Sequence, residues 1–265
     1  MSSAPEEGLG RLLAVMRRLR GPGGCEWDAE QTFGTIAPYT IEEAYEVADA
    51  IERGDHAGLC DELGDLQLQV VFHSAIAEDL GLFNIADVLR GISDKLVRRH
   101  PHVFGSDGGT GGRPGWEAIK AAERAGSGDH SELAGVARAL PALKRAEKIG
   151  ARAARVGFDW PDASGSRAKV EEELAELDAA VTAEEREEEL GDLLFAVVNL
   201  ARHLKIDPEA ALSAATRKFE ARFRDMEAQA GSLEGRGAEE LDALWRAAKR
   251  SAPRSAPIEG PPDGR

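Results

Sequence analysis

Cysteine and long apolar runs are scarce in this sequence, and each scarcity excludes a class of protein. Cys25 and Cys60 are the only cysteines and form no CxxC pair, so they cannot supply a structural zinc site or a disulfide framework. Two thiols without such a framework fit the cytoplasm, where we expect the protein. No run approaches the ~18–20 apolar residues of a membrane span, and the N-terminus lacks the apolar region of a signal peptide.

Aromatic residues and positive charge are also in short supply. Aromatics make up 5% of the chain, whereas Ala, Glu, Leu and Arg are abundant, which favours helices over sheets. Lys and Arg number 33 against 48 Asp and Glu, so the net charge is -15. We therefore expect no general binding to nucleic acid or to anionic membranes. An anionic ligand stays possible, because bound metal and a few local cations can invert the field at a site.

An acidic pattern, Glu-Glu-x-x-Glu followed by Glu-x-x-Asp, occurs twice in the chain. The first copy consists of Glu42, Glu43, Glu46, Glu62 and Asp65, and the second of Glu172, Glu173, Glu176, Glu189 and Asp192. The first parts of the two copies align at an offset of 130 residues and the second parts at 127. This small drift falls in a turn between helices, where changes of length are tolerated.

The repeat predicts an all-α protein of two tandem helical domains that arose by internal duplication. We place the first domain at 1–125, a linker at 126–136, the second domain at 137–250 and a disordered tail at 251–265. Apolar residues at helical spacing predict the helices. We expect Thr40 to cap the first acidic helix, which ends near Arg53, and the helix carrying the second copy to begin near Arg167.

The four carboxylates that follow the first Glu of each copy are expected to converge. Residues three apart share a helix face, and a turn near Gly54 would fold the two acidic helices antiparallel. An all-oxygen set suits Mg²⁺ or Mn²⁺, and Mg²⁺ often takes substrate phosphates as further ligands. A solvated acidic face is the alternative. A di-iron centre would need Glu-x-x-His motifs, and none of the six histidines has a Glu three residues before it.

Cations and tryptophans repeat at matching intervals in the two halves. The pattern K-x-x-x-R occurs as Lys95 with Arg99 and as Lys218 with Arg222, and W-x-x-x-K occurs as Trp116 with Lys120 and as Trp245 with Lys249. Cations at i, i+4 lie on one helix face, which suits them to grip a polyphosphate, and a Trp could stack on a base. The alternatives are ordinary surface charge and core tryptophans.

One cation breaks the symmetry between the halves. Lys169 lies four residues before Glu173, whereas Tyr39 stands at the matching place in the first half. The second copy therefore has one more cation beside its carboxylates, which favours it as the catalytic one. No nucleophile system stands out, and no phosphate loop of the P-loop type is present.

Together these residues closely resemble the MazG nucleoside triphosphate pyrophosphohydrolase family in its tandem two-domain form. The resemblance spans about residues 8–250. The stretches that carry it are CEWDAEQTF (25–33), IEEAYEVADAI (41–51), DELGDLQLQVVFH (61–73), RRHPHVFG (98–105), VGFDWP (156–161), EEELGDLLFAVVNLARHL (187–204) and RKFEARFR (217–224).

The resemblance implies an α-helical bundle in each half and a homodimer whose active sites form near subunit contacts. It also implies Mg²⁺-dependent hydrolysis of NTPs and dNTPs to the monophosphate and pyrophosphate, with broad substrate choice, and makes the C-terminal domain the main catalytic unit. Glu173, Glu176, Glu189 and Asp192 would hold the metal, and Glu172 would orient the attacking water.

Phosphate and base contacts follow from the same resemblance. The residues that would bind phosphate are Lys169, Lys218, Arg222 and Lys249, with Lys95, Arg99 and Lys120 in the first half, while Trp245 could face the base. Near Glu185, relatives can carry a site lysine, so this chain departs from the family there. Two alternatives stay open: a narrower pyrophosphatase for dUTP, dCTP or phosphoribosyl-ATP, and a catalytically silent metal-binding module, for which the first domain is the candidate.

Overall fold

The computed structural model of this protein describes residues 4–105 and 131–251, and the regular secondary structure in those ranges is entirely α-helical. The predicted all-α fold is therefore confirmed. The chain divides into two compact units, Met1–Ala122 and Glu123–Arg265, called the first and second unit below. Residues 126–130 of the predicted linker and nearly all of the predicted tail lie outside the described residues. Within those ranges, no helix combines the length and the apolar character needed to cross a membrane.

Two long helices form the centre of the first unit, and shorter helices pack around them. The central pair, α3 and α4, runs side by side, with α1 packed on α4. The helices of this unit are α1 (Pro5–Arg20), α2 (Glu26–Glu30), α3 (Phe33–Arg53), α4 (His56–Asp79), α5 (Ile85–Arg99) and α6 (Pro101–Phe104).

A two-residue turn folds α3 and α4 into a hairpin. Gly54 ends α3 with φ at 66°, a left-handed conformation that glycine adopts without steric cost. Asp55 then begins α4, since its Oδ1 accepts a hydrogen bond from the backbone N–H of Gly58 at 2.9 Å. Because the turn is so short, the acidic part of α3 faces the acidic part of α4.

The predicted start of α3 at Thr40 is wrong. The helix begins at Phe33, because Thr32 and Thr35 form a reciprocal capping box in which each hydroxyl accepts from the other residue's backbone N–H. Pro38 lies inside the helix near its N-terminal end. Thr40 instead donates its hydroxyl to the carbonyl of Ile36 at 3.3 Å, as an interior residue does. Trp27 lies on the short helix α2, just before this capping box.

The second unit repeats the central hairpin. Its acidic helices α8 and α9 pack along each other, α7 packs on α9 as α1 does on α4, and α10 packs on α11. The helices are α7 (Ala142–Arg155), α8 (Ala163–Ala179), α9 (Ala183–His203), α10 (Pro208–Ala230) and α11 (Ala238–Ser251). Helix α8 starts before the predicted Arg167, because Asp162 caps it by accepting from the N–H of Ser164 at 2.7 Å.

The buried side chains differ between the two hairpins. In the first unit, the core cluster consists of Met16, Ile36, Val71, Phe72 and Ile76, each at most 4% exposed. On α9 of the second unit, the buried residues are Ala196, Val198 and Asn199. At the repeat offset of 127 residues, Asn199 takes the place of Phe72. The helices have the same arrangement in both units, but a smaller polar side chain stands at this position in the second unit.

Candidate metal centres and the adjoining cavity

The carboxylates of the first unit meet across the α3–α4 hairpin. Glu43 on α3 and Glu62 and Asp65 on α4 each offer an oxygen, and these atoms all lie within 4.8 Å of one another. Glu46, one turn after Glu43, interacts with both Glu43 and Glu62. All four carboxylates predicted as metal ligands in this half are therefore neighbours.

The second unit repeats this meeting of carboxylates between α8 and α9. Oxygens of Glu173, Glu176 and Glu189 lie within 4.8 Å of one another. Glu173 is buried, at 4% exposed. Asp192 adds to the negative field on Glu189 and lines the same cavity as Glu173. We call each set of four a carboxylate cluster.

Both clusters hold more negative charge than their surroundings favour. The pKa of Glu43 is raised first by burial and then by Asp65 and Glu46. Burial followed by the neighbouring carboxylates likewise raises the pKa of Glu62 and of Glu189. Closely spaced oxygen ligands that repel one another fit a hard divalent cation, which would neutralise them. The donor chemistry therefore supports a metal at each cluster.

Lys169 partly neutralises the second cluster. Its Nζ lies 2.5 Å from Oε1 of Glu173 and 2.8 Å from Oε1 of Glu172. These two carboxylates raise the pKa of Lys169 above its usual range. Glu172 is exposed and stands at the edge of the cluster. The predicted asymmetry thus has a structural counterpart, because Tyr39 occupies the position of Lys169 in the first unit.

Three of the predicted substrate contacts form one group on α10 and α11. Arg222 and Lys249 both lie over the ring of Trp245, at 5.8 Å and 5.6 Å from its centroid. Within the part of the chain that the structure describes, the buried Nε of Arg222 has no hydrogen-bond partner. Lys218 is exposed on α10. These residues stand on other helices than the carboxylates, and their contact with a shared substrate stays a prediction.

The corresponding first-unit residues are only partly described. Lys95 and Arg99 lie on α5, where their spacing puts them on one face. Trp116 and Lys120 fall outside the described residues. The role of this set in binding substrate stays a prediction.

Glu185 has a structural task at the start of α9. Its Oε2 accepts hydrogen bonds from the backbone N–H groups of Val181 and Thr182, at 2.8 and 3.0 Å. These bonds lower the pKa of Glu185. They complete a capping box with Thr182 that begins α9. The acidic residue thus fixes the start of the helix that carries Glu189 and Asp192.

A cavity of about 800 Å³ adjoins the second carboxylate cluster, and the sequence patterns did not point to it. Lys169, Glu173 and Asp192 line one part of it. The remaining wall includes aromatic and polar side chains, namely Phe158, Asp159, Trp160, Phe195, Asn199 and Arg202. The sequence does contain one signal for the cavity. Some aligned positions differ between the two halves, as Phe72 and Asn199 do, whereas the repeat itself is defined by the positions that match.

An ion-pair network fixes one side of this cavity. Asp159 accepts from Nη1 of Arg202 at 2.8 Å and contacts Nε2 of His203 at 3.0 Å. The hydrogen bond from Arg202 is the main reason why the pKa of Asp159 falls to about 2. The charge of Arg202 is therefore already neutralised within the protein.

Comparison with known proteins places this arrangement in a family. The model of the MazG nucleotide pyrophosphohydrolase domain matches residues 31–104 and 164–226. The chain belongs to the MazG family. The two matched segments contain the two carboxylate clusters, so the cluster is common to both copies of the MazG domain.

Relatives that align with nearly the whole chain also belong to this family by name. The chain is 49% identical to a nucleoside triphosphate pyrophosphohydrolase of Escherichia coli strain K12 over 253 residues, which cover 91% of this chain and 96% of that protein. It is 48% identical to the nucleoside triphosphate pyrophosphohydrolase/pyrophosphatase MazG of Thermotoga maritima over 242 residues, or 90% of this chain and 94% of the relative. The tandem arrangement is thus shared over nearly the whole length.

Mg²⁺ should stabilise the protein against heat through the two clusters. The pKa values of the cluster carboxyls are higher in the folded protein than in the unfolded chain. Without metal, the clusters therefore lower the free energy of unfolding as the pH rises above the ordinary carboxyl range. Saturating Mg²⁺ at pH 7.5 should therefore raise Tm by roughly 5–10 °C. The gain should shrink at pH 5, where protons compete for the oxygens. Differential scanning fluorimetry measures both.

A double variant tests whether the clusters cause this gain. Glu46→Gln with Glu176→Gln removes one ligand from each cluster and should abolish most of the shift. Glu184→Gln with Glu187→Gln removes the same charge from exposed positions on α9 and should keep the shift. Equal Mg²⁺-induced shifts in the two double variants would refute metal binding at the clusters.

Proposed function

We propose that this MazG protein hydrolyses nucleoside triphosphates between the α- and β-phosphates, releasing a monophosphate and pyrophosphate. The observation that carries the proposal is the second carboxylate cluster, with Lys169 beside it, in a chain about half identical to proteins named nucleoside triphosphate pyrophosphohydrolase. Acceptance of several NTPs and dNTPs and the use of Mg²⁺, with Mn²⁺ as a substitute, are parts of this proposal. A cytoplasmic location stays a prediction.

Each residue of the second site has a task in this reaction. The cation would be held by Glu173, Glu176, Glu189 and Asp192. When bound, Mg²⁺ stabilises charge that develops on phosphate oxygens and promotes the ionisation of a water. Lys169 offers a donor at the edge of the cluster, and Lys218, Arg222 and Lys249 supply further cations for phosphate oxygens.

Glu172 is suited to orient the attacking water. Its carboxylate is exposed, and its hydrogen bond from Lys169 holds it next to the cluster without burying it. A carboxylate there can accept a proton from a water aimed at the α-phosphorus, with pyrophosphate as the leaving group. Trp245, placed between two cations, could face the base or support the phosphate contacts.

We assign turnover to the second unit and metal binding without turnover to the first. The first cluster has the carboxylates but has Tyr39 in place of the lysine. A pyrophosphatase restricted to one nucleotide is the remaining alternative. The domain limits 1–125 and 137–250 also stay part of the proposal, with the first domain serving as a metal-binding module.

Product analysis and two single variants test the activity. Purified protein with Mg²⁺ should release pyrophosphate, not orthophosphate, from several NTPs, as measured by phosphorus NMR. Glu176→Ala should lower kcat at least ~100-fold, since it removes a metal ligand, whereas Glu46→Ala should change kcat by less than ~3-fold. The exposed Glu187→Ala serves as a control. Orthophosphate as first product would refute the reaction, and unchanged turnover in Glu176→Ala would refute the assignment to the second unit.

We also propose that the protein is a homodimer. Helix α5 supports this proposal, because Leu89, Ile92 and Leu96 lie on one of its faces and are 40–48% exposed. Such a stripe of large apolar side chains suits burial against a second chain.

Light scattering coupled to gel filtration tests the dimer. The expected mass is about 57 kDa, twice the 28.4 kDa of one chain. Ile92→Asp should shift the protein toward the monomer, because it would bury a charge in the contact. Val181→Asp, at a position that is 79% exposed, should leave the mass unchanged. A mass of one chain for the unaltered protein would contradict the proposal.

A further inference from the structure

A short segment before α7 forms part of the wall of the second-unit cavity. This segment, which we call the strap, runs from Ser131 to Gly135, and Leu133 at its middle lines the cavity. The N–H of Leu133 donates to Oγ of Ser131 at 3.2 Å, and the N–H of Ala134 donates to the carbonyl of Ser131 at 2.9 Å. Gly135 has φ at 73°, a left-handed conformation that suits the end of a turn. The strap is therefore a compact turn with its own hydrogen bonds.

One guanidinium holds the strap against α7. Nη1 of Arg152 donates to the carbonyl of Glu132 at 3.1 Å and to the carbonyl of Ala134 at 2.9 Å. These carbonyls belong to the residues on either side of Leu133, so the backbone of Leu133 is fixed from both sides. Hydrogen bonds from a charged donor are stronger than neutral ones. Arg152 thereby determines where the side chain of Leu133 stands.

The two apolar residues of the strap differ in burial. Ala134 is 5% exposed, whereas Leu133 is 42% exposed although it is the larger of the two. The buried alanine supplies packing for the strap, and the leucine beside it leaves apolar surface uncovered at the cavity. Contact with a ligand would remove that surface from water, which is favourable. Leu133 is thus suited to touch a bound molecule.

The first unit lacks the residue that holds the strap. The offset of 133 residues that aligns Trp27 with Trp160 places Leu19 where Arg152 stands. A leucine side chain has no donor for backbone carbonyls. In the second unit, Gly150 and Ala153 lie close to Arg152 on α7 and line the same cavity as the strap. The anchor and the cavity wall are therefore one structure, and it belongs to the second unit.

We propose that Leu133 is a contact residue for the substrate of the second unit, and that Arg152 is the positioning residue that holds Leu133 in place. This inference rests on the proposed function and adds to it a specificity element outside the repeated acidic and basic patterns. Lys169 and Glu173 line the same cavity as Leu133. A triphosphate held at the second cluster therefore has the strap in the wall of its own cavity.

Contact between ligand and strap makes their stabilities interdependent. If a bound ligand touches Leu133, opening the strap also breaks that contact, so the ligand must slow the opening. By the same linkage, a strap released from Arg152 must bind the ligand less tightly. A strap with a purely structural role would show neither effect. Hydrogen exchange at the Leu133 and Ala134 amides measures opening, because both N–H groups are bonded within the closed turn.

Hydrogen exchange followed by mass spectrometry tests this linkage in the full-length protein. With Mg²⁺ and α,β-methylene ATP at a concentration that saturates binding in calorimetry, the strap amides should exchange at least ~5-fold more slowly. Without nucleotide, Arg152→Ala should make them exchange at least ~10-fold faster. Arg152→Lys keeps a charged donor and should recover part of the protection. Equal exchange of the strap amides with and without bound nucleotide would overturn the proposal.

Steady-state kinetics separates the contact from the fold. Leu133→Ala removes the side chain but leaves the backbone bonds of the strap, so KM for ATP should rise ~5–10-fold while kcat stays within ~2-fold. Leu133→Met keeps a similar volume and should restore KM to within ~2-fold. Arg152→Ala should raise KM ~10-fold with the same small change in kcat, since it acts through Leu133.

A control on the same helix separates this inference from the proposed activity. Arg145→Ala removes an exposed guanidinium from α7 and should change neither KM nor kcat. Unchanged KM in both Leu133→Ala and Arg152→Ala, or a loss confined to kcat, would refute the role of the strap. Failure of the unaltered protein to release pyrophosphate from any NTP would instead refute the proposed function.

Discussion

Repulsion between carboxylates that the fold forces together is the constraint on which the rest of this structure depends. Each hairpin places four acidic side chains on facing helix surfaces, and burial adds to the cost of their charge. The short turn at Gly54 and Asp55 and the capping box at Thr182 and Glu185 leave the helices little freedom to separate. A divalent cation relieves this repulsion, so stability and function are coupled through the same residues.

The protein has two copies of the carboxylate cluster, one in each unit. The side chains packed beside the two clusters differ. The first unit packs Phe72 into its hydrophobic core. The second unit leaves that space open and places Lys169 next to its carboxylates. A residue that closes a cavity stabilises the fold but removes a binding site, which is the usual conflict between packing and function.

Much of this could be predicted from sequence because it depends on local spacing. Pairs of carboxylates at i, i+3 and a turn signal at Gly54 suffice to predict the clusters. The start of α3 was predicted too late because Thr32 and Thr40 are both possible N-caps. Pro38 lies between them, and a proline usually marks the start of a helix and not its interior. The cavity depends on which side chains meet across three helices, and that information is not local. Comparing mismatched positions between the halves, such as Phe72 and Asn199, would have indicated it.

A crystal structure with Mn²⁺ and an α,β-methylene nucleotide tests the central claim most directly. That claim is that both clusters bind a cation while only the second unit positions the substrate for turnover. Anomalous scattering should place Mn²⁺ at Glu43, Glu62 and Asp65 and also at Glu173, Glu176 and Glu189. Density for the triphosphate should lie beside Lys169 at the second cluster. A nucleotide bound at the first cluster alone, or clusters without Mn²⁺, would contradict the account.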